Sequence, residues 1–271
     1  SSHYSKKIDL GLIMKCNFLA INKSWVAFAE DPKAIVLWIG GAFFGTFPTI
    51  SYHFLLRNIH QAHYTVVALP YWLNLDHWIK AGVIYEEFLS LPQALKDEAK
   101  KLGYQSDIYL DLSKYKWAGH SLGCEYISLL DFLSEPLQQQ KAILQNFQSS
   151  SMKRNLTTLQ HITEQISITR NNQSALFIAP CFKPPFFIKP WVQPSQELTR
   201  CLLKQTTTNN PISMISFTND QTAGNIAHQQ GDVYWIEQNL SLVSHQEING
   251  NHYTPIFQDQ MLANLAINFL N

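Results

Sequence analysis

Residues 115–133 read YKWAGHSLGCEYISLLDFL, with a serine at position 121 between glycines at positions 119 and 123. The residues up to Gly119 favour a short strand, and those from Leu122 onward favour a helix. A serine at this G-x-S-x-G spacing is typical of a nucleophile elbow, a strained strand-to-helix turn that projects the hydroxyl above a sheet. The glycines are needed because a side chain there would collide with a neighbouring strand or helix. Ser121 is therefore the candidate nucleophile.

Short apolar runs alternate with helical segments along the rest of the chain. Strands are predicted over residues 34–39, 64–69, 175–179, 212–217 and 243–248, and an antiparallel hairpin over residues 14–21 and 24–29. Helices are predicted over residues 50–62, 77–101 and 256–270, and in a segment ending near residue 204; Pro92 should interrupt the second helix and Gly103 should cap it. This alternation predicts an α/β fold with a mostly parallel central sheet of about eight strands and helices on both faces.

The length and composition of the chain fit one domain. Its 271 residues are 46% hydrophobic, which supplies a core, and no stretch has the character of a linker between two domains. Residues 134–173 are polar, and residues 181–205 are rich in proline and aromatic side chains. We therefore predict a single domain over residues 1–271, with these two segments as insertions that form a cap.

The charge pattern excludes some partners. Lys plus Arg and Asp plus Glu number 20 each, so the net charge is zero and the basic field of a nucleic-acid-binding protein is missing. Residues 34–56 carry no charge, but three glycines and Pro48 interrupt them, which argues against a membrane-spanning helix. The polar start of the sequence lacks an apolar signal segment, which predicts a cytoplasmic protein.

Cysteine and histidine spacing gives no sign of a metal or redox centre. The four cysteines form no C-x-x-C pair and are interpreted as reduced core thiols. Three histidines fall near one predicted helix, but neither a carboxylate nor a thiol joins His53, His60 and His63. The sequence therefore predicts no metal site and requires no other cofactor.

A nucleophilic serine needs a base, and the base needs a carboxylate to orient it. His252 is the candidate base because it follows the last predicted strand and precedes the last helix, where a loop residue can reach the serine. Asp220 is the candidate acid because it comes just after the strand over residues 212–217 and precedes the histidine. Two other carboxylates remain as alternatives, Asp232 farther past that strand and Glu247 in the last strand.

The turn after residues 34–39 reads Gly-Gly-Ala-Phe at positions 40–43. In proteins with a nucleophile elbow, this turn and the residue after the serine supply main-chain N–H groups for a developing oxyanion. Ala42 is the first candidate in the turn, Phe43 is the second, and Leu122 is the candidate after the serine. A dinucleotide-binding turn is the alternative, but no Asp or Glu follows near position 70 to support it.

Four residues are candidates for substrate contact. Asp76 and His77 follow the second core strand at the edge where the site would open, although Asp76 also suits the N-cap of a helix. Phe186 and Trp191 belong to an aromatic run in the second insertion. Exposed aromatic side chains on a cap would suit an apolar acyl or prenyl chain, and buried ones would pack the cap onto the body.

The combined pattern resembles the α/β-hydrolase superfamily over residues 12–271, and more narrowly a family of α/β-hydrolase-like proteins from cyanobacteria and plastids. The segments that carry the resemblance are WIGGAF at 38–43, LDH at 75–77, GHSLGC at 119–124, IAP at 178–180, ISF at 215–217 with Asp220, and GNHYTP at 250–255. The resemblance implies an eight-stranded sheet and a Ser–His–acid triad, without a substrate. Beside the cytoplasmic prediction, it raises an association with a thylakoid or other membrane surface.

The main functional hypothesis is a serine hydrolase that cleaves a carboxylic ester, of a lipid or a pigment, through an acyl-enzyme on Ser121, with His252 and Asp220. An acyltransferase or a thioesterase would use the same triad. A binding protein that keeps the fold without catalysis is the alternative from another class. The expected partners are a small, apolar ester and a peripheral lipid or membrane surface, with no nucleic acid.

Overall fold

A computed structural model describes residues 16–145, 172–185, 188–206 and 210–271. The strands are β1 (Leu19–Ile21), β2 (Ser24–Ala27), β3 (Ala34–Ile39), β4 (Tyr64–Ala68), β5 (Tyr115–His120), β6 (Ala175–Ile178), β7 (Ile212–Phe217) and β8 (Ser244–Ile248). The helices are α1 (Pro48–Ser51), α2 (His53–Gln61), α3 (His77–Leu102), α4 (Leu122–Leu133), α5 (Leu137–Gln145), α6 (Gln196–Gln205), α7 (Asp232–Asn239) and α8 (Gln260–Leu270). Short 3-10 turns lie at Phe44–Thr46, Lys189–Trp191 and Thr254–Ile256.

The eight strands form one sheet in the order β1-β2-β4-β3-β5-β6-β7-β8. The β1–β2 and β2–β4 pairs are antiparallel, and the remaining pairs are parallel. From β3 the chain proceeds to β4 on one side, whereas from β5 it proceeds to β6 on the other. A sheet that reverses its winding direction in this way opens a crevice at the carboxyl ends of the two central strands. The loops after β3 and β5 therefore meet at one edge.

The two central strands and the helix after them form the buried middle of the molecule. All six residues of β3 are buried, as expected for an apolar strand covered on both faces. Every residue of α4 is buried as well, so the helix that follows the serine is held inside the core. The parallel register pairs Ile39 with Gly119. The turn after β3 consequently lies beside the turn that carries Ser121.

The prediction of a mostly parallel eight-stranded sheet is confirmed, and a few element boundaries differ. The helix predicted over residues 50–62 is broken at Tyr52, whose side chain is fully buried. The predicted interruption at Pro92 is wrong, because α3 runs through it and ends before Gly103, which caps it with φ of 76°. Leu91 and Leu95 beside the proline are fully buried, and this packing outweighs the loss of one helical hydrogen bond. Helix α7 was not predicted.

The uncharged residues 34–56 form β3, a 3-10 turn, α1 and the start of α2 rather than one long helix. In the described part of the chain, none of the helices combines the length and the apolar character that crossing a bilayer requires. Of the segments predicted as a cap, α5 and α6 are described. The second segment is tied to the body, because Gln193 O accepts from His77 N at 2.7 Å and Gln193 N donates to Leu75 O at 2.8 Å. The cap role and the single domain stay predictions.

We expect Gly123→Ala to destabilise the protein strongly. A Cβ at this position would overlap the main-chain carbonyl of Ile39 and would lie 2.8 Å from the carbonyl oxygen of Gly40. Since neither is a flexible side chain, α4 would have to move away from β3, with a loss of about 3 kcal/mol or more of unfolding free energy. Denaturant unfolding monitored by circular dichroism measures this loss.

The matched control is Gly103→Ala. Gly103 has φ of 76°, but nothing lies within 4 Å of a Cβ built there. Its substitution should therefore cost only the backbone strain, about 1 kcal/mol. Equal losses in the two variants would contradict the close contact between α4 and β3.

Candidate active site

The turn between β5 and α4 holds Ser121 in a strained conformation. Its φ of 55° and ψ of −119° lie in a region that non-glycine residues rarely adopt. A Cβ at Gly119 would lie 2.8 Å from the main-chain carbon of Gly123 and from Ile127 Cδ1, so the turn closes only with glycine there. The Ser121 N–H donates to Ile178 O at 3.0 Å, which ties the turn to β6. The local geometry is that of a nucleophile elbow.

Three sequence-predicted residues meet at this turn. His252 Nε2 lies 2.8 Å from Ser121 Oγ, and His252 Nδ1 lies 2.8 Å from Asp220 Oδ2. All three side chains are buried, and the serine is 8% exposed. Because a carboxylate accepts hydrogen bonds, the Nδ1 atom of His252 carries the proton and Nε2 is free to accept from the serine hydroxyl. The arrangement can deliver a serine proton to an oriented imidazole.

The two partners of the serine arrive from the last two strands of the sheet. Asp220 follows β7, and its Oδ1 accepts from the N–H groups of Thr222 and Ala223 at 2.8 and 2.9 Å. This leaves Oδ2 for His252, which lies in the loop after β8. The Asn251 N–H donates to Thr254 Oγ1 at 2.9 Å, which orders that loop. Both side chains therefore approach the elbow from structured turns.

The alternative carboxylates have other partners. Asp232 accepts from the N–H of Phe182 at 2.7 Å and pairs with Arg200 at 2.7 Å. Glu247 accepts from Ser216 Oγ at 3.3 Å and from the N–H of Ile226 at 3.0 Å. The structure thus brings Asp220, rather than either alternative, to His252.

The candidate oxyanion donors lie in the two turns beside the serine. A Cβ on Gly41 would lie 3.1 Å from Ser121 Cβ, so the turn after β3 touches the elbow. Within the described ranges, no acceptor takes a hydrogen bond from the N–H of Ala42, Phe43 or Leu122. Phe43 has φ of 63°, a second strained residue at the same mouth. Unpaired N–H groups beside a nucleophile are the feature that an oxyanion needs.

Two buried polar residues at this site, Tyr52 and His120, were not among the residues predicted from the sequence. The ring of His120 lies 5.0 Å from that of His252 and 5.6 Å from that of Tyr52, measured between centroids. His120 could have been noticed because it stands inside the GHSLG motif. Tyr52 offered no signal, because it lay in the middle of a predicted helix and only the break between α1 and α2 turns it inward.

The four candidate substrate contacts have different environments. Asp76 Oδ1 caps α3 by accepting from the N–H groups of Trp78 and Ile79. His77 is buried, and its Nδ1 lies 2.9 Å from Glu125 Oε1. Burial raises the pKa of Glu125. Trp191 is 63% exposed, whereas Phe186 lies outside the described residues. The structure gives the first two residues partners within the fold, and their contact with a substrate stays a prediction.

A cavity of about 290 Å³ lies beside the 3-10 turn that follows β3. It is lined by Lys23, Thr46, Leu69, Pro70, Tyr71, Trp72, Lys80, Val83, Ile84 and Glu87, none of which belongs to the triad. Tyr71 connects the two regions, because its hydroxyl donates to Gly40 O at 2.9 Å. Among the described residues, no cluster of three or more His, Cys, Asp or Glu side chains is arranged to hold a metal ion.

The fold is similar to those of several solved enzymes. A fluorophosphonate-binding serine hydrolase from Staphylococcus aureus shares 11% identity over 92% of each chain, with a TM-score of 0.52. For an esterase from Rhizomucor miehei the identity is 11%, the coverage is 94% of this chain and 81% of the other, and the TM-score is 0.53. A carboxylesterase from Lactobacillus plantarum shares 11% identity over 87% of this chain and 83% of the other, with a TM-score of 0.50. At these identities the similarity concerns the fold alone.

The sheet and these similarities define an α/β-hydrolase fold, as the sequence predicted. Within that fold, the chain belongs to the family described as "Protein of unknown function (DUF1350)", which matches residues 17–266. No curated protein matches the chain in sequence. The cyanobacterial or plastid origin stays a prediction.

We expect acid to destabilise the protein through His120. Burial lowers the pKa of this imidazole well below its ordinary value of 6.5, with the neighbouring His252 as a second cause. Below pH 6.5 the unfolded chain therefore binds a proton on this side chain that the folded chain does not bind. The contribution of His120 to the free energy of unfolding is fully present above pH 6.5 and is lost as the pH falls below it. One such group contributes a slope of about 1.4 kcal/mol per pH unit in that window.

Denaturant unfolding between pH 5 and pH 8 measures this slope in the wild type and in His120→Gln. The variant lacks the titrating group, whereas His60 and Glu125 titrate in both proteins and cancel in the comparison. The two stability curves should diverge above pH 5 and become parallel above about pH 6.5. Curves that stay parallel across the whole range would refute a neutral, buried His120.

Proposed function

We propose that the protein is a serine hydrolase that cleaves a carboxylic ester. The observation that carries this proposal is the continuous contact from Asp220 through His252 to the hydroxyl of Ser121, with both links at 2.8 Å. A serine becomes a nucleophile when an oriented, neutral imidazole can take its proton. The strained turn and the unpaired N–H groups beside it supply the other elements of an acyl-transfer site.

In this mechanism, Ser121 Oγ attacks the ester carbonyl carbon while its proton passes to His252 Nε2. The carbonyl oxygen becomes an oxyanion, which accepts from the N–H groups of Ala42 and Leu122. The tetrahedral intermediate then breaks its bond to the alcohol oxygen, which leaves with the proton from His252. Water attacks the acyl-enzyme, gives one proton back through His252 to Ser121, and releases the carboxylic acid. Asp220 holds the imidazole in the required tautomer throughout.

The same triad serves two related reactions. If an alcohol rather than water accepts the acyl group, the protein is an acyltransferase. If the leaving atom is sulfur rather than oxygen, it is a thioesterase. A non-catalytic binding protein is the alternative from another class. It is less favoured because it would have no need for a strained serine with φ of 55° and a complete chain of contacts behind it.

The substrate class in this proposal is an apolar ester, because exposed apolar side chains lie in the turn after β3 and in the loop of His252. Together with Phe47 and Trp72, which follow that turn or pack on a residue that does, these side chains form what we call the apolar rim: Phe43, Phe47, Trp72 and Tyr253, each at least half exposed. The rings of Phe47 and Trp72 pack edge to face at 6.2 Å, and Tyr253 packs against His252 at 5.8 Å. A cluster of exposed aromatic side chains next to a reactive serine suits an acyl or prenyl chain.

The apolar rim would also contact a lipid surface. Residues 40–52 carry no charge, and Lys23 and Lys80 line the cavity that Trp72 also lines. Aromatic side chains flanked by lysines suit the interface of a bilayer with anionic headgroups. In this proposal the protein lies peripherally on the membrane and draws its ester from it.

We expect Ser121→Ala to abolish ester hydrolysis and labelling by a fluorophosphonate probe. Loss of the attacking oxygen should lower kcat by about 1,000-fold or more. The matched control is Ser128→Ala in α4, the helix that follows Ser121. It removes a fully buried hydroxyl that donates to Cys124 O. This variant should keep both activities.

A panel of p-nitrophenyl esters and thioesters from two to sixteen carbons, assayed with and without an acceptor alcohol, distinguishes the three reactions. A preference for long acyl chains would support the apolar substrate. A wild-type protein that takes no label and turns over no ester or thioester would contradict the proposal and favour the binding protein.

We expect the apolar rim to bind vesicles independently of catalysis. In the Ser121→Ala background, Trp72→Ser should lower partitioning onto phosphatidylcholine–phosphatidylglycerol vesicles by about five- to thirtyfold, or 1–2 kcal/mol, because an exposed indole no longer enters the interface. Leu110→Ser is the control, since Leu110 is 48% exposed just before β5, at the opposite edge of the sheet. Equal partitioning of the two variants in a sedimentation assay would exclude the rim as the contact.

A further inference from the structure

A buried chain of hydrogen bonds runs around the candidate serine without touching its hydroxyl. The Gly41 N–H donates to Tyr52 Oη at 2.7 Å, Tyr52 Oη lies 2.8 Å from His120 Nδ1, and His120 Nε2 lies 2.9 Å from the main-chain oxygen of His252. The two side chains are 0% and 1% exposed. We propose that Tyr52 and His120 are positioning residues. They fix the turn after β3, which carries the candidate oxyanion donors, relative to the loop of His252. This inference rests on the proposed function.

The direction of every proton in this chain follows from its two ends. The carbonyl of His252 can only accept, so His120 must carry a proton on Nε2. Since His120 is neutral in its buried position, its Nδ1 is an acceptor and must receive the O–H of Tyr52. The Tyr52 oxygen then has a lone pair for the Gly41 N–H. The pattern leaves no donor or acceptor of the two side chains unpaired, and reversing any link would break it.

This chain of hydrogen bonds joins segments that are far apart in the sequence. Gly41 belongs to the turn after β3, Tyr52 lies between α1 and α2, His120 ends β5, and His252 follows β8. Contacts around it leave little room for movement, because a Cβ at Gly40 would lie 2.6 Å from the Tyr52 ring and one at Gly41 would lie 3.0 Å from His120 Nδ1. A shift of either loop must therefore break a buried hydrogen bond.

The hydrogen-bond chain also excludes one main-chain N–H group from the role of oxyanion donor. Because the Gly41 N–H is engaged by Tyr52, it is unable to serve a reacting carbonyl, and in this turn the N–H groups of Ala42 and Phe43 are the ones without an acceptor among the described residues. At the other end, His252 is held through its own carbonyl rather than through its ring. The ring therefore keeps both nitrogens for Ser121 and Asp220. Tyr52 and His120 act through Gly41 and His252, and neither touches the substrate.

The first test is Tyr52→Phe, which removes only the hydroxyl. We expect kcat for a p-nitrophenyl ester to fall about tenfold or more, with KM within about threefold, because the interaction affects the transition state rather than ground-state binding. The matched control is Tyr115→Phe, which removes an equally buried hydroxyl that donates to Tyr109 O at 2.8 Å near the other end of β5. It should leave kcat unchanged at a similar cost in melting temperature.

Two substitutions of His120 each break one half of the hydrogen-bond chain. His120→Gln can keep a donor for the His252 carbonyl but offers no acceptor for Tyr52, and His120→Asn does the reverse. Each should lower kcat. The double variant Tyr52→Phe/His120→Gln should be no worse than about twofold below its weaker parent, because both changes break the same link. Losses that multiply fully, or a Tyr52→Phe enzyme with kcat within twofold of the wild type, would overturn the proposal.

A measurement independent of turnover examines the hydrogen bonds themselves. Nitrogen-15 NMR of histidine-labelled protein, with His120 assigned by its loss in His120→Gln, should show a neutral ring protonated on Nε2 from pH 5.5 to pH 8. A proton on Nδ1, or titration near pH 6.5, would overturn the chain. A wild type without hydrolysis or label overturns the proposed function and the positioning role together. That outcome differs from an active wild type with an equally active Tyr52→Phe, which overturns the positioning role alone.

Discussion

The arrangement of the site depends on the close approach of α4 to β3 at Gly123. The Cα of this glycine lies against the main-chain carbonyl of Ile39, and even a methyl group would force the helix away. The same approach brings the turn after β3 beside Ser121, because β3 and β5 are paired in parallel and end together. The candidate nucleophile and the candidate N–H donors are therefore adjacent as a consequence of strand register and one missing side chain. A reactive serine elsewhere on this sheet would lack both.

The site stores strain that the buried surroundings support. Ser121 and Phe43 both have positive φ, which costs on the order of 1–3 kcal/mol for each residue. The serine is held by a helix that is buried along its whole length. Phe43 gains no comparable stabilisation from burial, because its ring is 75% exposed. A strained residue that displays an apolar ring to solvent is difficult to explain by folding alone, and it favours a role at the mouth of the site.

The sequence predicted the elements whose signals are local. β3 and β7 match their predicted boundaries because each is a short, continuous apolar run, and the elbow was found because its glycines are required at fixed spacing. Asp220 and His252 could be placed because parallel strands deliver their following loops to one edge. Tyr52 and the continuity of α3 through Pro92 could not, since both depend on packing between distant segments. Helix α7 was missed because its eight residues show no clear apolar periodicity.

The neutrality of His120 matters for the chemistry of its neighbour. In the proposed acyl transfer, His252 would become a cation, with Asp220 as its counter-charge. The His120 ring lies 5.0 Å away, and a positive charge there would oppose that cation by about 3 kcal/mol at an effective dielectric constant of 20. Burial lowers the pKa of His120 well below its ordinary value, so this repulsion does not arise at neutral pH. A second histidine can therefore stand beside the base and bind its main chain without competing for its proton.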